Sequence, residues 1–359
     1  MNVKQFSSDK ILQHIDRIHE WRETGISRPI TYELDLTNRC NNKCPHCFGF
    51  YNRKKNLVSM PYEFANDILH QIKYFGGKAI TFTGGGEPLM HPDFCKLAKK
   101  AHDLNIDVAL ITNGNLLNAE NIKCILENCT WVRISLDAGT KEVYKERHGM
   151  NHESYKKLLE KIRKLCELKK KMKSKTKIGL GYLTPLGENG DVVDFLMLAY
   201  LLEIDYVQFR PMLNYFGNKI EQDNKKSATL VEDICNMDSR DISSKKKLHK
   251  WDILCSKHKY DKIISGNISK EYGKCYGHNF ATVISSTGKM YICCHMRGVE
   301  KYCLGDLHKQ ELQEIWKSER RFEISKRINF NDCPQLCRCD NFNEILWNIS
   351  KEKEHVNFL

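Results

Sequence analysis

Six short apolar runs between residues 30 and 212 are separated by longer amphipathic stretches. The runs are 30–37, 78–88, 106–114, 131–139, 177–184 and 206–212, and the stretches include 61–76, 93–105, 119–129, 152–171 and 191–203. Runs of this length read as strands, and apolar residues recurring at helical spacing read as helices. Their alternation implies a parallel sheet with helices outside. Six units fall short of the eight that close a barrel, so the expected fold class is α/β, a partial (β/α)6 TIM-like barrel. Such folds gather their chemistry at the carboxyl ends of the strands. The loops there are distinctive: "TNRCNNKCPHCFGF" after the first strand, "GGGEP" after the second, "TNG" after the third and "SLDAG" after the fourth.

The rest of the chain divides around this core. Residues 1–29 read as an N-terminal helical extension and 30–215 as the barrel. Residues 216–272 are polar and lysine-rich, a linker that is partly helical. Residues 273–340 form a small cysteine-rich α+β domain, with a hairpin over 280–294 and a helix over 311–328, and 341–359 is a C-terminal helix. No signal-type apolar run opens the chain, and nothing approaches the ~20 apolar residues a bilayer span needs. The expectation is a cytoplasmic protein with no membrane partner. The formal charge is +12, much of it in 156–177 and 243–250. A solvated helix face and a surface loop account for most of it; an anionic small-molecule substrate is the sharper reading. No zinc finger or RNA-recognition signature occurs, so no nucleic-acid partner is expected.

Sixteen cysteines in a chain without a secretory signal point to metal rather than disulfides. Cys40, Cys44 and Cys47 are spaced C-x3-C-x2-C with no fourth cysteine nearby. A structural zinc site wants four ligands. A [4Fe-4S] cluster held by three thiolates keeps one iron open for a small molecule.

This spacing at the end of the first strand resembles the radical S-adenosylmethionine (SAM) superfamily. The resemblance implies that the open iron chelates SAM and that reduction yields a 5'-deoxyadenosyl radical, which takes hydrogen from a substrate. Residue by residue, Gly85, Gly86 and Glu87 resemble the motif that binds the methionine ammonium. Ser135 and Asp137 resemble contacts to the SAM carboxylate or ribose, and Arg147 an arginine that pairs with the methionine carboxylate. His46 would lie against the adenine. Asn113 is a site residue or a turn stabiliser. The resemblance assigns no catalytic acid, base or hydrogen donor. It implies an electron donor such as flavodoxin or ferredoxin.

The second module resembles SPASM/twitch domains. Cys275, Gly288 and Cys293 fit C-x(9–15)-G-x4-C, and "CPQLCRC" supplies a short tail. The shortened tail favours the twitch type with one auxiliary [4Fe-4S] cluster, making two clusters in all. The resemblance implies ligation by Cys275, Cys293, Cys333 and Cys337, with Cys339 an alternative. A zinc ribbon is the competing reading. About 30 residues precede the first strand, too few for the leader-binding domain of many peptide maturases. The expected substrate is therefore a small sugar- or nucleotide-derived metabolite that is dehydrogenated or epimerised. A peptide or protein maturase is the alternative. A non-catalytic electron-transfer or zinc-stabilised binding protein is the reading from another class.

Overall fold

The computed structural model describes residues 7–47, 56–184, 191–212, 225–236, 251–351 and 354. A ten-stranded sheet runs through nearly the whole of it. The strands are β1 (Thr31–Leu34), β2 (Ala79–Phe82), β3 (Asp107–Thr112), β4 (Trp131–Ser135), β5 (Lys177–Thr184), β6 (Tyr206–Pro211), β7 (Asp252–Cys255), β8 (Ala281–Ile284), β9 (Lys289–Tyr291) and β10 (Cys303–Asp306). Their order is β10-β9-β8-β1-β2-β3-β4-β5-β6-β7. The pairs from β1 through β7 are all parallel, which is the partial-barrel α/β core expected from the alternation.

Period-two alternation sorts the strand residues between two faces. Tyr32, Leu34, Ile80, Phe82, Leu110, Ile134, Leu180 and Phe209 join the main core with helix residues such as Ile68, Leu97, Ile125, Ile162 and Phe195. The intervening residues Glu33, Thr81, Ala109, Arg133, Gly181 and Gln208 therefore face the concave side. That side is polar, so it is a cavity wall rather than a second apolar layer.

Two features differ from the sequence expectation. The segment 216–272 holds the helices Lys225–Asn236 and Lys257–Ser265, and also β7, which lengthens the parallel run. A four-residue strand flanked by polar sequence carries too little periodicity to stand out. The hairpin of the cysteine-rich module also joins the sheet directly. β8 pairs parallel with β1, Thr31 opposite Ala281 and Leu34 opposite Ile284, while β8–β9 and β9–β10 are antiparallel. The stretch 311–328 is two helices, Leu312–Lys317 and Glu319–Lys326, parted at Ser318, which caps the second by accepting from Arg321 N–H. A further helix, Lys141–His148, lies between β4 and the long helix His152–Met172, and ends at Gly149 with φ of +62°. Near the termini, Ile11, Ile18 and Trp21 pack with Phe280 and Leu346. The N- and C-terminal helices thus clasp each other beside β8.

Candidate active site and auxiliary cysteine site

β1 carries the chain into the cysteine loop, and the loop is seated by its neighbours. Asn38 accepts from the Val58 amide at 2.7 Å and donates to the Asn56 carbonyl at 2.6 Å. Cys40, Cys44 and Cys47 are all half-buried and form no disulfide. The Asn113 amide nitrogen lies 3.9 Å from Cys40 Sγ and donates to Asn41 Oδ1 at 2.8 Å. His148 Nδ1 lies 3.3 Å from Cys44 Sγ, while its Nε2 meets the Leu136 carbonyl at 2.8 Å. Burial is the main cause that pulls the His148 pKa down. His46 is exposed on the loop between Cys44 and Cys47.

The glycine loop after β2 is pressed against this loop. A Cβ on Gly86 would overlap the Arg39 carbonyl oxygen, and one on Gly84 would overlap the Asp35 carboxylate. Gly84 also has φ of +105°. These two glycines are required by close approach, and the sequence reading named Gly86 but not Gly84. Glu87, 2% exposed, spends its carboxylate inside the protein. It accepts from Thr112 Oγ1 at 2.6 Å, the Asn113 amide at 2.7 Å and the Leu89 amide at 3.1 Å. Burial pushes its pKa up against those three bonds. The geometry thus makes Glu87 a tie between the loops after β2 and β3. Asn113 accepts from the Asn115 amide at 2.9 Å, so it shapes its turn and also touches the cysteine loop.

The residues after β4 are close together but not equivalent. Ser135 is half-buried at the strand end. Asp137, with φ of +50°, accepts from the Leu183 amide at 2.7 Å. Arg147 donates to the Leu183 carbonyl at 3.2 Å, and its Nε is buried without a partner. The spare donor is what an anionic group of a cofactor would need.

The second cysteine site is assembled from distant segments. Cys275, Cys293, Cys294, Cys333, Cys337 and Cys339 line one cavity beside β1 and β8. Burial pushes the thiols of Cys275 and Cys333 up to about 12, and Cys337 adds to both shifts. Cys293 is raised well above the usual range by burial and then by Cys294, Cys337, Cys275 and Cys333. Such thiols are poor thiolates until a cation arrives; bound iron would relieve the repulsion that raises them. Cys337 also interacts with Cys339 and His295. Among the described residues no three His, Cys, Asp or Glu side chains converge as a single metal ion needs. The six thiols line a shared cavity, where several of them could hold a cluster.

A buried charge network joins the two sites. Arg297, just beyond Cys294, contacts Glu33 Oε2 at 2.7 Å and Asp35 Oδ2 at 2.7 Å. Arg338, between Cys337 and Cys339, also pairs with Glu33. Burial alone would raise Glu33, but Arg338 and Arg297 outweigh it and hold its carboxyl at about 2. Asp35 is pushed up to about 7, chiefly by burial and further by Glu33, against Arg297 and the Gly85 amide. Asp35 underlies Gly84, so the chain of contacts runs from the auxiliary cysteines to the glycine loop. His148, Asp35, Glu33, Arg297 and Arg338 were all missed in the sequence. The one available signal was acidic residues at alternate positions of an otherwise apolar strand.

The fold agrees with what the chain resembles. A family model of the radical SAM superfamily matches residues 34–198, and one of an iron–sulfur cluster-binding domain, SPASM, matches 275–340. The chain belongs to the radical SAM superfamily and carries a C-terminal SPASM-type iron–sulfur domain. It is an enzyme, and its cofactors are [4Fe-4S] clusters and SAM. It is 24% identical over 323 residues to the AdoMet-dependent heme synthase of Methanosarcina barkeri, covering 83% of this chain and 84% of that protein. It is 32% identical over 130 residues to the mycofactocin maturase MftC of Mycobacterium ulcerans, covering 36% of this chain and 35% of that one. Among solved structures, Streptococcus suis SuiB bound to SAM superposes with a TM-score of 0.66 at 16% identity, covering 90% of this chain and 75% of that chain. The anSMEcpe structure with bound AdoMet gives 0.61 at 19%, covering 89% and 95%. The structural likeness is one of fold. No helix among the described residues is long and apolar enough to cross a membrane.

Proposed function

We propose that this enzyme cleaves SAM reductively at a cluster held by Cys40, Cys44 and Cys47, and acts on a small anionic metabolite. The chemistry supplied by the bound cofactors is formation of a 5'-deoxyadenosyl radical that takes hydrogen from the substrate. The observation that carries the reading is the seating of the glycine loop on the three-cysteine loop, with Gly84 and Gly86 allowing contact that any side chain would block. Gly85 and Gly86 offer backbone to the methionine end of SAM, and Glu87 holds that backbone in place. Asn113 and His148 hold Cys40 and Cys44. Arg147 supplies a free Nε–H for the SAM carboxylate, and Ser135 and Asp137 border the same space. His46 closes over the adenine. These residues position SAM and exclude water around it.

Cys275, Cys293, Cys333 and Cys337 hold an auxiliary cluster in this reading. Cys275, Cys333 and Cys337 all act electrostatically on Cys293, and Cys337 on Cys275 and Cys333, whereas Cys339 is acted on by Cys337 and then Cys294. With four protein ligands that cluster binds no substrate and serves as an electron relay. A small reduced protein such as flavodoxin or ferredoxin supplies electrons from the cytoplasm. A relative matched over 83% of this chain is named a heme synthase, which supports a metabolite. MftC, named a maturase, supports a peptide, but through only about a third of its length.

The test is anaerobic reconstitution with iron and sulfide, dithionite reduction, and chromatography for 5'-deoxyadenosine. The expected protein holds about eight irons per chain and forms that product. Four irons with zinc would replace the auxiliary cluster by a zinc site. A fully loaded sample that never forms 5'-deoxyadenosine would defeat the catalytic reading.

A further inference from the structure

The concave face of the sheet buries more cations than it has acids to match. Arg133 on β4 and Arg210 on β6 flank β5, whose inward positions there are Gly179 and Gly181. The register sets Arg133 opposite Gly179, Gly181 opposite Gln208, and Leu183 opposite Arg210. Without side chains on those glycines, both guanidinium groups reach one space. A Cβ at Gly181 would lie 3.4 Å from Arg210 Nη2 and 3.5 Å from Arg133 Cδ.

Neither arginine has an ion pair among the described residues, though Asp137 lies within electrostatic reach of Arg133. Arg133, 7% exposed, donates through Nη1 to Gln208 Oε1, and its Nε is buried without a partner. Arg210 has no side-chain hydrogen bond or ion pair among the described residues, and its Nε is likewise buried and unmet. Lys259, from the helix Lys257–Ser265, is 5% exposed and lies nearer the auxiliary site, within electrostatic reach of Cys337 and Asp340 as well as Arg210. The acids of the same face are already engaged: Glu33 by Arg338 and Arg297, Asp35 by Arg297, and Asp137 by the Leu183 amide. Burial, and then the neighbouring Arg210, pulls the Arg133 pKa down to about 9. Unpaired buried cations are costly to keep. They are tolerable where a bound anion completes them, and a guanidinium fork suits the paired oxygens of a carboxylate or phosphate.

We propose that Arg133 and Arg210, with Gln208 orienting Arg133, form a subsite that anchors an oxyanion group of the substrate on the β4–β6 side of the cavity. This deepens the metabolite reading above and rests on it. The subsite lies three to five strands from β1 in the sheet order, so the anionic end of the substrate is held across the cavity from the cysteine loop. Arg147 remains the arginine for SAM, and the subsite does not compete with it.

The experiment is calorimetric titration of the oxidised, SAM-saturated holoenzyme at low ionic strength. Inorganic phosphate is the phosphate probe and glutarate the carboxylate probe. We expect saturable binding of one or both, one per chain. Arg133→Gln and Arg210→Gln should weaken it at least tenfold, with Arg210→Lys in between because it keeps the charge and loses the fork. The Kd for SAM should stay within twofold in all three. Binding of phosphate alone identifies a phosphorylated substrate, and of glutarate alone a carboxylate. Iron content and circular dichroism matched to wild type certify that a variant is folded. No saturable binding of either anion overturns the proposal, as does binding that folded variants leave unchanged. Loss of SAM affinity in step with anion affinity also overturns it, because the arginines would then serve SAM. Formation of 5'-deoxyadenosine by the wild type is read separately, so failure of SAM cleavage is not confused with failure of the subsite.

Discussion

Cys40, Cys44 and Cys47 come from one loop of eight residues, whereas Cys275, Cys293, Cys333 and Cys337 are gathered from segments spread over sixty. The first group is fixed by neighbours that are not cysteines, Asn113 and His148. The second is surrounded by its own kind, and the thiols raise one another's pKa. On the proposed function the difference separates two tasks. A site that must admit a small molecule leaves ligands out and lets backbone from another loop approach. A site that only passes electrons can be enclosed, and its strength depends on tertiary structure bringing its parts together.

The largest expected effect breaks the comparison outright. Cys40→Ala should abolish 5'-deoxyadenosine formation while about four irons remain in the auxiliary site. Cys337→Ala should do the reverse, losing about four irons while SAM still binds. Iron assays and chromatography on both variants check this; equal loss of both functions in either variant would show that the sites are not separable.

Next in size is the network between them. Arg297→Met leaves the Glu33 and Asp35 carboxylates without their shared cation, and both are almost fully buried. Removing one partner of such a pair costs about 3–5 kcal/mol. Thermal unfolding followed at both clusters should show a large common fall in midpoint. A fall confined to the auxiliary cluster would show that the network does not join the two sites.

Gly86→Ala should act on the first site alone. Its methyl group would overlap the Arg39 carbonyl, so the loops must part. The expected result is a SAM affinity reduced about tenfold, or ~1.4 kcal/mol, with normal iron content. Unchanged affinity would remove the glycine loop from the SAM site.

The most gradual effect is a pH dependence, spread over about three pH units. Asp35 is raised from 3.8 to about 7, so folding takes up a proton between those values. The Asp35 contribution to stability should therefore fall as pH rises from about 4 to about 7, by at most ~1.4 kcal/mol per pH unit. Glu33 is lowered from 4.5 to about 2 and works the other way, gaining stability only below that window, as pH rises through its own range. His148 and His258, whose pKa values burial lowers, act in the opposite sense below about pH 6.5, so the Asp35 share is the difference in slope between wild type and Asp35→Asn in denaturant titrations.

Much of this was legible along the chain because it is local. A strand of four residues shows itself when long amphipathic helices frame it, as with β1 to β6, and not when polar sequence does, as with β7 and β10. Gly86 was recognisable from its motif. Gly84 was not, because its need for a bare Cα comes from Asp35, nearly fifty residues earlier. His148 gave no signal at all, since its role depends on meeting Cys44 across 104 positions.

The amino-acid order alone determined the β/α alternation, the C-x3-C-x2-C loop at the first strand end and the existence of a second cysteine-rich module. Those properties are set within a few residues by hydrophobic period and by ligand spacing. Only the tertiary structure decided that β8 pairs with β1, that Arg297 and Arg338 reach Glu33, and that Arg133 and Arg210 share a space over glycine. Each of these is a meeting of surfaces distant in sequence, and the free energy that selects it comes from burying both partners at once.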